Sequence, residues 1–131
     1  MKDLLCDEFQ NKVSELLIRH QSILDVLSKL QEASARINRA VTKAVTNCGC
    51  IKINAERKAI PDDITISELK DFVNSHLSGE LCSNCKETIE AEAGKNLFYL
   101  AAMCNQLDLN LYDVFIKEHK KLSTLRFFNF T

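Results

Sequence analysis

Apolar residues recur at three- and four-residue steps through most of the chain, which is the spacing of one face of a helix. The first such stripe predicts an amphipathic helix over residues 3–19. The second begins after Ser22, a residue type that caps helix N-termini, and continues for about 25 residues, or ~38 Å. Gly49 stands where a left-handed residue would end this helix, so Cys48 and Cys50 are predicted at its C-terminus.

The middle of the chain carries a weaker pattern. Residues 50–60 alternate briefly between apolar and polar types and are interpreted as an extended strap. Thr65 and Glu68 have the spacing of a capping box. A short helix is therefore predicted over residues 66–77, ending at Gly79.

A long helix is predicted to follow and to run to about Gln106. Asn84, with Glu87 three residues later, fits the capping pattern at its start. Cys85 then lies in the first turn, where backbone N–H groups and the helix dipole favour a thiolate.

Asn110 and Asp113 mark a last helix, predicted over residues 111–122. The tail, residues 125–130, is strongly apolar, and we expect it to pack on the helices or on a second subunit. Without an internal repeat or a linker, residues 1–131 are interpreted as a single all-α domain.

Composition narrows the range of partners. A formal net charge of −1 and the absence of Trp argue against a nucleic-acid-binding surface. No apolar run approaches the ~18 residues of a membrane span. The acidic residues near Met1 do not resemble a signal peptide, so a cytoplasmic location is expected, where grouped cysteines bind metal more often than they form disulfides.

Four of the six cysteines form two close pairs, Cys48-Gly49-Cys50 and Cys82-Ser83-Asn84-Cys85, separated by 31 residues. Two such pairs supply four thiolates to one tetrahedral ion, and we predict a structural Zn²⁺ site. The alternatives are unliganded thiols, a disulfide and an iron–sulfur cluster, and His76 is a further candidate ligand. Cys6 and Cys104 stand alone in helical patterns and are predicted to be small core residues.

The segment from Glu92 to Ala102 reads Glu-Ala-Gly-Lys-Asn-Leu-Phe-Tyr-Leu-Ala-Ala, and Leu-Asp-Leu-Asn-Leu-Tyr-Asp-Val follows from Leu107. Together they resemble the third and fourth helices of the MazG-like, all-α nucleoside triphosphate pyrophosphohydrolases. The resemblance implies a MazG-like antiparallel four-helix bundle, with the short helix and a Cys-rich clip as insertions. It also implies a nucleotide ligand and assembly as a dimer or tetramer through the long helices.

In that family, carboxylates on two facing helices hold Mg²⁺, which neutralises the triphosphate and helps to activate water. Glu92 matches the first acid of the family's Glu-x-x-Asp, but Lys95 stands at the Asp position. On the second helix Glu32 remains, whereas Ala35 replaces the next acid. The resemblance makes Glu32 and Glu92 the candidate catalytic residues and Lys95 and Arg36 the candidate substrate-binding residues, with Mg²⁺ as a cofactor only in an active enzyme.

Glu87 and Glu90 form an acid pair about one helical turn before Glu92. This pair either restores a metal site or is a solvated pair near the helix N-terminus.

The sequence leaves three functional hypotheses open. The first is a zinc-clipped binding or interaction scaffold with a degenerate hydrolase site. The second is an active pyrophosphohydrolase with an altered metal site, and the third is a thiol or metal sensor.

Overall fold

The computed structural model describes residues 4–17, 22–57, 59–70 and 73–125. Within these ranges the chain is mostly helical, which confirms the predicted all-α class, with one small two-stranded sheet. The elements in chain order are α1 (Leu4–Leu16), α2 (Ile23–Lys43), a π-helical turn (Ala44–Cys48), β1 (Ile51–Ile53), α3 (Ile66–Leu69), β2 (Leu77–Gly79), α4 (Ser83–Gln106) and α5 (Leu111–Leu125). No helix in these ranges has the length and apolar character needed to cross a membrane.

The two long helices, α2 and α4, pack along each other, and α1 packs on α4 and α5. Asn96 of α4 donates a hydrogen bond to Ser34 of α2 at 2.9 Å. Because α2 ends near the residues where α4 begins, and its middle faces the middle of α4, the two helices run antiparallel. The core lies where α1, α2 and α4 meet and contains the buried residues Val13, Val26, Ala101 and Ala102.

Both ends of α2 have the predicted form. Ser22 caps its start by accepting a hydrogen bond from the Leu24 N–H. At the other end the last turn widens into the π-helical turn, and Gly49 adopts a left-handed conformation with φ of 79°. The Gly49 N–H donates to the Ala44 carbonyl at 2.8 Å and closes the turn. This wide turn places Cys48 and Cys50 at the end of the helix.

The predicted helix over residues 66–77 is wrong for residues 73–77. Its capping box at Thr65 and Glu68 is confirmed, but α3 is only four residues long. Asn74 accepts a hydrogen bond from the backbone N–H of His76, whose φ is 61°. Such side-chain bonds compete with helical ones, so the chain turns here and continues as β2.

The last helix begins where Asn110 predicts it and extends to Leu125, three residues beyond the expected end. Asn110 accepts a hydrogen bond from the Asp113 N–H at 2.9 Å. The tail beyond Leu125, which was expected to pack on the helices or on a second subunit, lies outside the described residues.

A buried glutamine joins the first helix to the start of the last. Gln10 is 7% exposed, and its amide group donates to the Leu109 carbonyl at 2.7 Å and accepts from the Leu111 N–H at 2.9 Å. Asn105 donates in turn to the backbone carbonyl of Gln10. These bonds satisfy backbone groups at the α4–α5 connection that helix hydrogen bonds leave unpaired.

We expect Gln10→Ala to lower the free energy of unfolding by about 2–3 kcal/mol, because it strips partners from two backbone groups of the connection. Urea unfolding followed by circular dichroism measures the change. Gln31→Ala on the exposed face of α2 is the matched control and should change stability by less than about 0.5 kcal/mol. Equal losses in the two variants would contradict this role of Gln10.

Candidate metal centre

The four paired cysteines converge at the junction between the end of α2 and the start of α4. Their Sγ atoms all lie within 4.8 Å of one another, and the Sγ atoms of Cys48 and Cys82 are 3.7 Å apart. All four are thiols rather than disulfides. We call this group the cysteine clip; it consists of Cys48, Cys50, Cys82 and Cys85.

The spacing of the sulfurs fits one small ion. In a regular tetrahedron the distance between ligands is about 1.63 times the ion–ligand distance, so Zn–S bonds of ~2.3 Å require sulfurs ~3.8 Å apart. The 3.7 Å between the Sγ atoms of Cys48 and Cys82 is close to this value, and no separation in the set exceeds it by more than about one ångström. Small rotations of the cysteine side chains would close the set around one ion.

The π-helical turn positions the first pair. It leaves Cys48 exposed at the end of the helix, and the left-handed Gly49 reverses the chain so that Cys50 points back towards the same place. The Cys50 Sγ lies 3.9 Å from the Ala44 carbonyl oxygen. Ile51 follows directly and is buried, which anchors the chain on the far side of Cys50.

The start of α4 positions the second pair. Cys82, and not Asn84, is the N-cap: its Sγ accepts a hydrogen bond from the Cys85 N–H at 3.4 Å. Asn84 lies inside the first turn, which corrects the predicted cap by two residues. The placement of Cys85 in that turn is confirmed. Here a cysteine sulfur accepts the N–H hydrogen bond that a Ser, Asn or Asp side chain usually accepts at an N-cap. Cysteine is not one of the usual N-cap residue types, so the sequence pattern did not identify Cys82 as the cap.

A two-stranded sheet ties the two pairs together. β1 follows the first pair and β2 precedes the second, and they pair antiparallel with Ile51 opposite Gly79. Gly79 has φ of 88°, and a Cβ built there would lie 2.5 Å from the Cys50 carbonyl oxygen. Only glycine fits this approach, so Gly79 holds the strand against the first pair rather than ending a helix as predicted.

Hydrogen bonding within the clip separates the acidities of two thiols. The backbone N–H of Cys85, followed by its thiol, lowers the pKa of Cys82 to about 7. The reciprocal hydrogen bond to Cys82 raises the pKa of Cys85 to about 12. These hydrogen bonds favour the thiolate at Cys82, which would make its Sγ the first sulfur available to a metal ion. A metal ion held by these residues would favour deprotonation of the remaining thiols.

The other predicted ligands and thiols lie elsewhere. His76 accepts a hydrogen bond from the Glu56 N–H through Nδ1 and is not in the cluster of four metal-ligating groups. Cys104 is 2% exposed and confirms its predicted place in the core. Cys6 is half-buried on α1.

The residues that the MazG resemblance singled out meet between the middle parts of α2 and α4. Glu92 forms ion pairs with Arg36 at 4.0 Å and with Lys95 at 3.8 Å. Glu32 pairs with Lys29 at 3.0 Å. A cleft of about 200 Å³ lies beside them, which we call the α2–α4 cleft; its lining is Lys29, Glu32, Ala33, Arg36, Lys95 and Tyr99.

Two residues of this cleft, Lys29 and Tyr99, were not identified from the sequence. Lys29 lies three and seven residues before Glu32 and Arg36, so it shares their face of α2, and Tyr99 lies one turn beyond Lys95. This helical spacing was the sequence signal that could have identified both residues. The acid pair Glu87 and Glu90 is exposed and does not line the cleft.

Comparison with models of protein families, with curated proteins and with solved structures finds no match to this chain.

Gly79→Ala is expected to weaken metal binding at the clip, because its Cβ would displace the Cys50 backbone. The strained backbone should also lower the free energy of unfolding by about 1–3 kcal/mol. Zinc affinity by competition with a chromophoric chelator, together with urea unfolding, measures both effects.

Gly94→Ala is the matched control, since a Cβ there meets nothing within 4 Å inside α4. It should leave zinc affinity unchanged and raise stability by about 0.5–1 kcal/mol. Wild-type zinc affinity in the folded Gly79→Ala variant would show that β2 does not support the clip.

Proposed function

We propose that this protein is a metal-clipped helical scaffold of the MazG-like type, in which Cys48, Cys50, Cys82 and Cys85 hold a structural zinc ion. The observation that carries the proposal is the convergence of four Sγ atoms within 4.8 Å of one another. Their positions at the end of one long helix and the start of its antiparallel neighbour suit a role in fixing these helices together.

The chemistry of the donors favours zinc. Four thiolates saturate a tetrahedral ion and leave no position for a water molecule, so the bound ion would stabilise the fold and not catalyse a reaction. An iron–sulfur cluster has to fit its iron and sulfide atoms between the cysteine sulfurs and would require them to lie further apart. A disulfide requires ~2.05 Å between sulfurs, well below the 3.7 Å that separates Cys48 from Cys82.

The charges in the α2–α4 cleft argue for a degenerate hydrolase site. Mg²⁺ sites are built from several oxygen ligands. Here Glu92 is already balanced by Arg36 and Lys95, and Glu32 by Lys29. The lining of the cleft offers a Mg²⁺ ion three cationic side chains and one carboxylate, that of Glu32. The balance of charge therefore opposes a divalent cation.

A homo-oligomer, either a dimer or a tetramer, belongs to the same proposal. It is supported by large apolar side chains on the surface of three helices: Leu24 on α2, Leu97 on α4 and Phe115 on α5. Burial of such residues in an interface would remove apolar area from water. The thiol clip suits a reducing compartment such as the cytoplasm.

As the test of the clip, we expect Cys82→Ser to lose bound zinc and to lower the melting temperature by roughly 10 °C, since a structural metal contributes several kcal/mol to folding. Elemental analysis and thermal unfolding measure the two effects. Cys104→Ala, a thiol outside the clip, should keep the zinc content of the wild type. A zinc-free wild-type protein that melts at the same temperature as Cys82→Ser would refute the site.

An active nucleoside triphosphate pyrophosphohydrolase is the second candidate. One observation favours it: Glu32 lines the cleft from α2, and Glu92 on the facing helix pairs with Arg36 and Lys95, two other residues of its lining. The thiol-sensor function is the weaker candidate, because it requires exposed thiols of low pKa rather than a saturated tetrahedral metal site.

The scaffold proposal predicts no release of pyrophosphate from a panel of nucleoside triphosphates with Mg²⁺ or Mn²⁺. A sensitive pyrophosphate assay on the zinc-loaded protein provides the measurement, with Glu92→Gln as the paired variant. Turnover in the wild type that disappears in Glu92→Gln would instead establish the enzyme and assign a catalytic role to Glu92.

A further inference from the structure

A pocket lies where α1 meets the connection between α4 and α5, and it shares no lining residue with the cysteine clip or the α2–α4 cleft. Its volume is about 410 Å³. This volume falls within the ~300–1,000 Å³ of pockets that enclose a small molecule. Six of its seven lining residues have polar side chains: Asp7, Gln10, Asn11, Asn105, Asp108 and Asn110. We call it the polar pocket.

The lining of the polar pocket carries charge of one sign. Asp7 comes from α1 and Asp108 from the α4–α5 connection, so the two carboxylates belong to different elements. Within the described part of the chain, no Lys, Arg or His lines the pocket. A concave site lined by one sign of charge raises the local concentration of the opposite sign. The polar pocket therefore favours a cationic ligand.

The amide groups around the pocket direct N–H donors to the protein itself. Gln10 donates to the Leu109 carbonyl at 2.7 Å, and Asn105 donates to the Gln10 carbonyl at 2.9 Å. Asn110 Nδ2 donates to Asp7 Oδ1 at 3.2 Å. These bonds leave the side-chain oxygen of Asn105 and the two carboxylates as acceptors for a ligand. The complementary ligand is one that supplies several N–H donors.

The carboxylate of Asp108 is the most accessible of these acceptors. The residue is exposed and its backbone is left-handed, with φ of 57°. Among residues 4–17, 22–57, 59–70 and 73–125, no group donates a hydrogen bond to this carboxylate or forms an ion pair with it. A ligand that binds Asp108 therefore displaces no partner supplied by these residues.

The opposite wall is held in place before any ligand arrives. Asp7 is half-buried, and its Oδ2 is not used in the bond from Asn110. Gln10, one turn further along α1, is fixed by its two hydrogen bonds to the α4–α5 connection. Because α1 and the connection are joined in this way, binding would need little further ordering of the protein.

We propose that the polar pocket binds a small aliphatic polyamine, with one ammonium group at Asp7 and another at Asp108. An ammonium group has three N–H donors and no acceptor, which complements a lining rich in acceptors. Hydrogen bonds between ammonium and carboxylate are charge-assisted and stronger than neutral ones. The volume of about 410 Å³ has room for the carbon chain that joins the two ammonium groups.

The polyamine site goes beyond the proposed scaffold function and uses different residues. None of the four clip cysteines and none of the residues that line the α2–α4 cleft lines the polar pocket. Zinc content and pyrophosphate release therefore test the scaffold proposal, whereas amine titration tests the polar pocket alone.

The test is an amide-detected NMR titration of the full zinc-loaded chain with putrescine and with spermidine. Potassium chloride at matched ionic strength is the reference, and n-butylamine is the probe with a single ammonium group. We expect saturable shifts at Asp7, Asn11, Asn105 and Asp108 that chloride does not reproduce. Butylamine should bind about tenfold more weakly than putrescine, because it reaches only one of the two carboxylates.

Asp108→Asn should weaken putrescine binding by about tenfold, since it removes one charged acceptor. Asparagine tolerates the left-handed backbone, so the variant should keep the wild-type fold and melting temperature. Asp113→Asn is the matched control: it removes the same charge five residues away, outside the lining, and should leave affinity unchanged.

Three results would overturn the proposal. Chloride could produce the same shifts as the amines, or Asp113→Asn could weaken binding as much as Asp108→Asn, and either would reduce the effect to general screening of charge. Saturation of the same amide shifts by Ca²⁺, without saturation by putrescine or spermidine, would instead make the polar pocket a metal site.

Discussion

Four sulfurs can surround one ion in this chain only if the C-terminal end of α2 and the N-terminal end of α4 meet in a fixed orientation. Each local feature of the junction serves that requirement. The π-helical turn and Gly49 direct the first pair of thiols, and the N-cap position of Cys82 directs the second. Gly79 permits the strand between them to lie against the Cys50 backbone. The clip is thus a property of backbone geometry as much as of cysteine spacing.

The same junction sets the relation between the two long helices further along. With their ends joined at the clip and Ser34 bonded to Asn96 in the middle, α2 and α4 have a defined register. That register places Arg36 opposite Glu92 and forms the α2–α4 cleft between them.

Helical periodicity and end signals predict much of the fold from the sequence. Ser22, Gly49, Thr65 and Asn110 all act at helix ends as their residue types indicate, because caps depend on local hydrogen bonds. The region between α3 and β2 could not be predicted in this way. Its apolar residues have helical spacing, but the left-handed backbone of His76 and the pairing of β2 with β1 depend on contacts distant in sequence. The four cysteines that could hold a metal ion are recognisable from spacing alone, whereas the contribution of Lys29 and Tyr99 to the cleft depends on the packing of the helices.

The central claim is that a four-sulfur zinc site joins α2 to α4, and zinc-edge X-ray absorption on protein purified without added metal tests it most directly. The account predicts about one zinc ion per chain, with four sulfur neighbours at ~2.3 Å. A first shell containing nitrogen or oxygen would contradict the assignment of all four cysteines as ligands. A folded, stable protein that contains no zinc would contradict the clip itself.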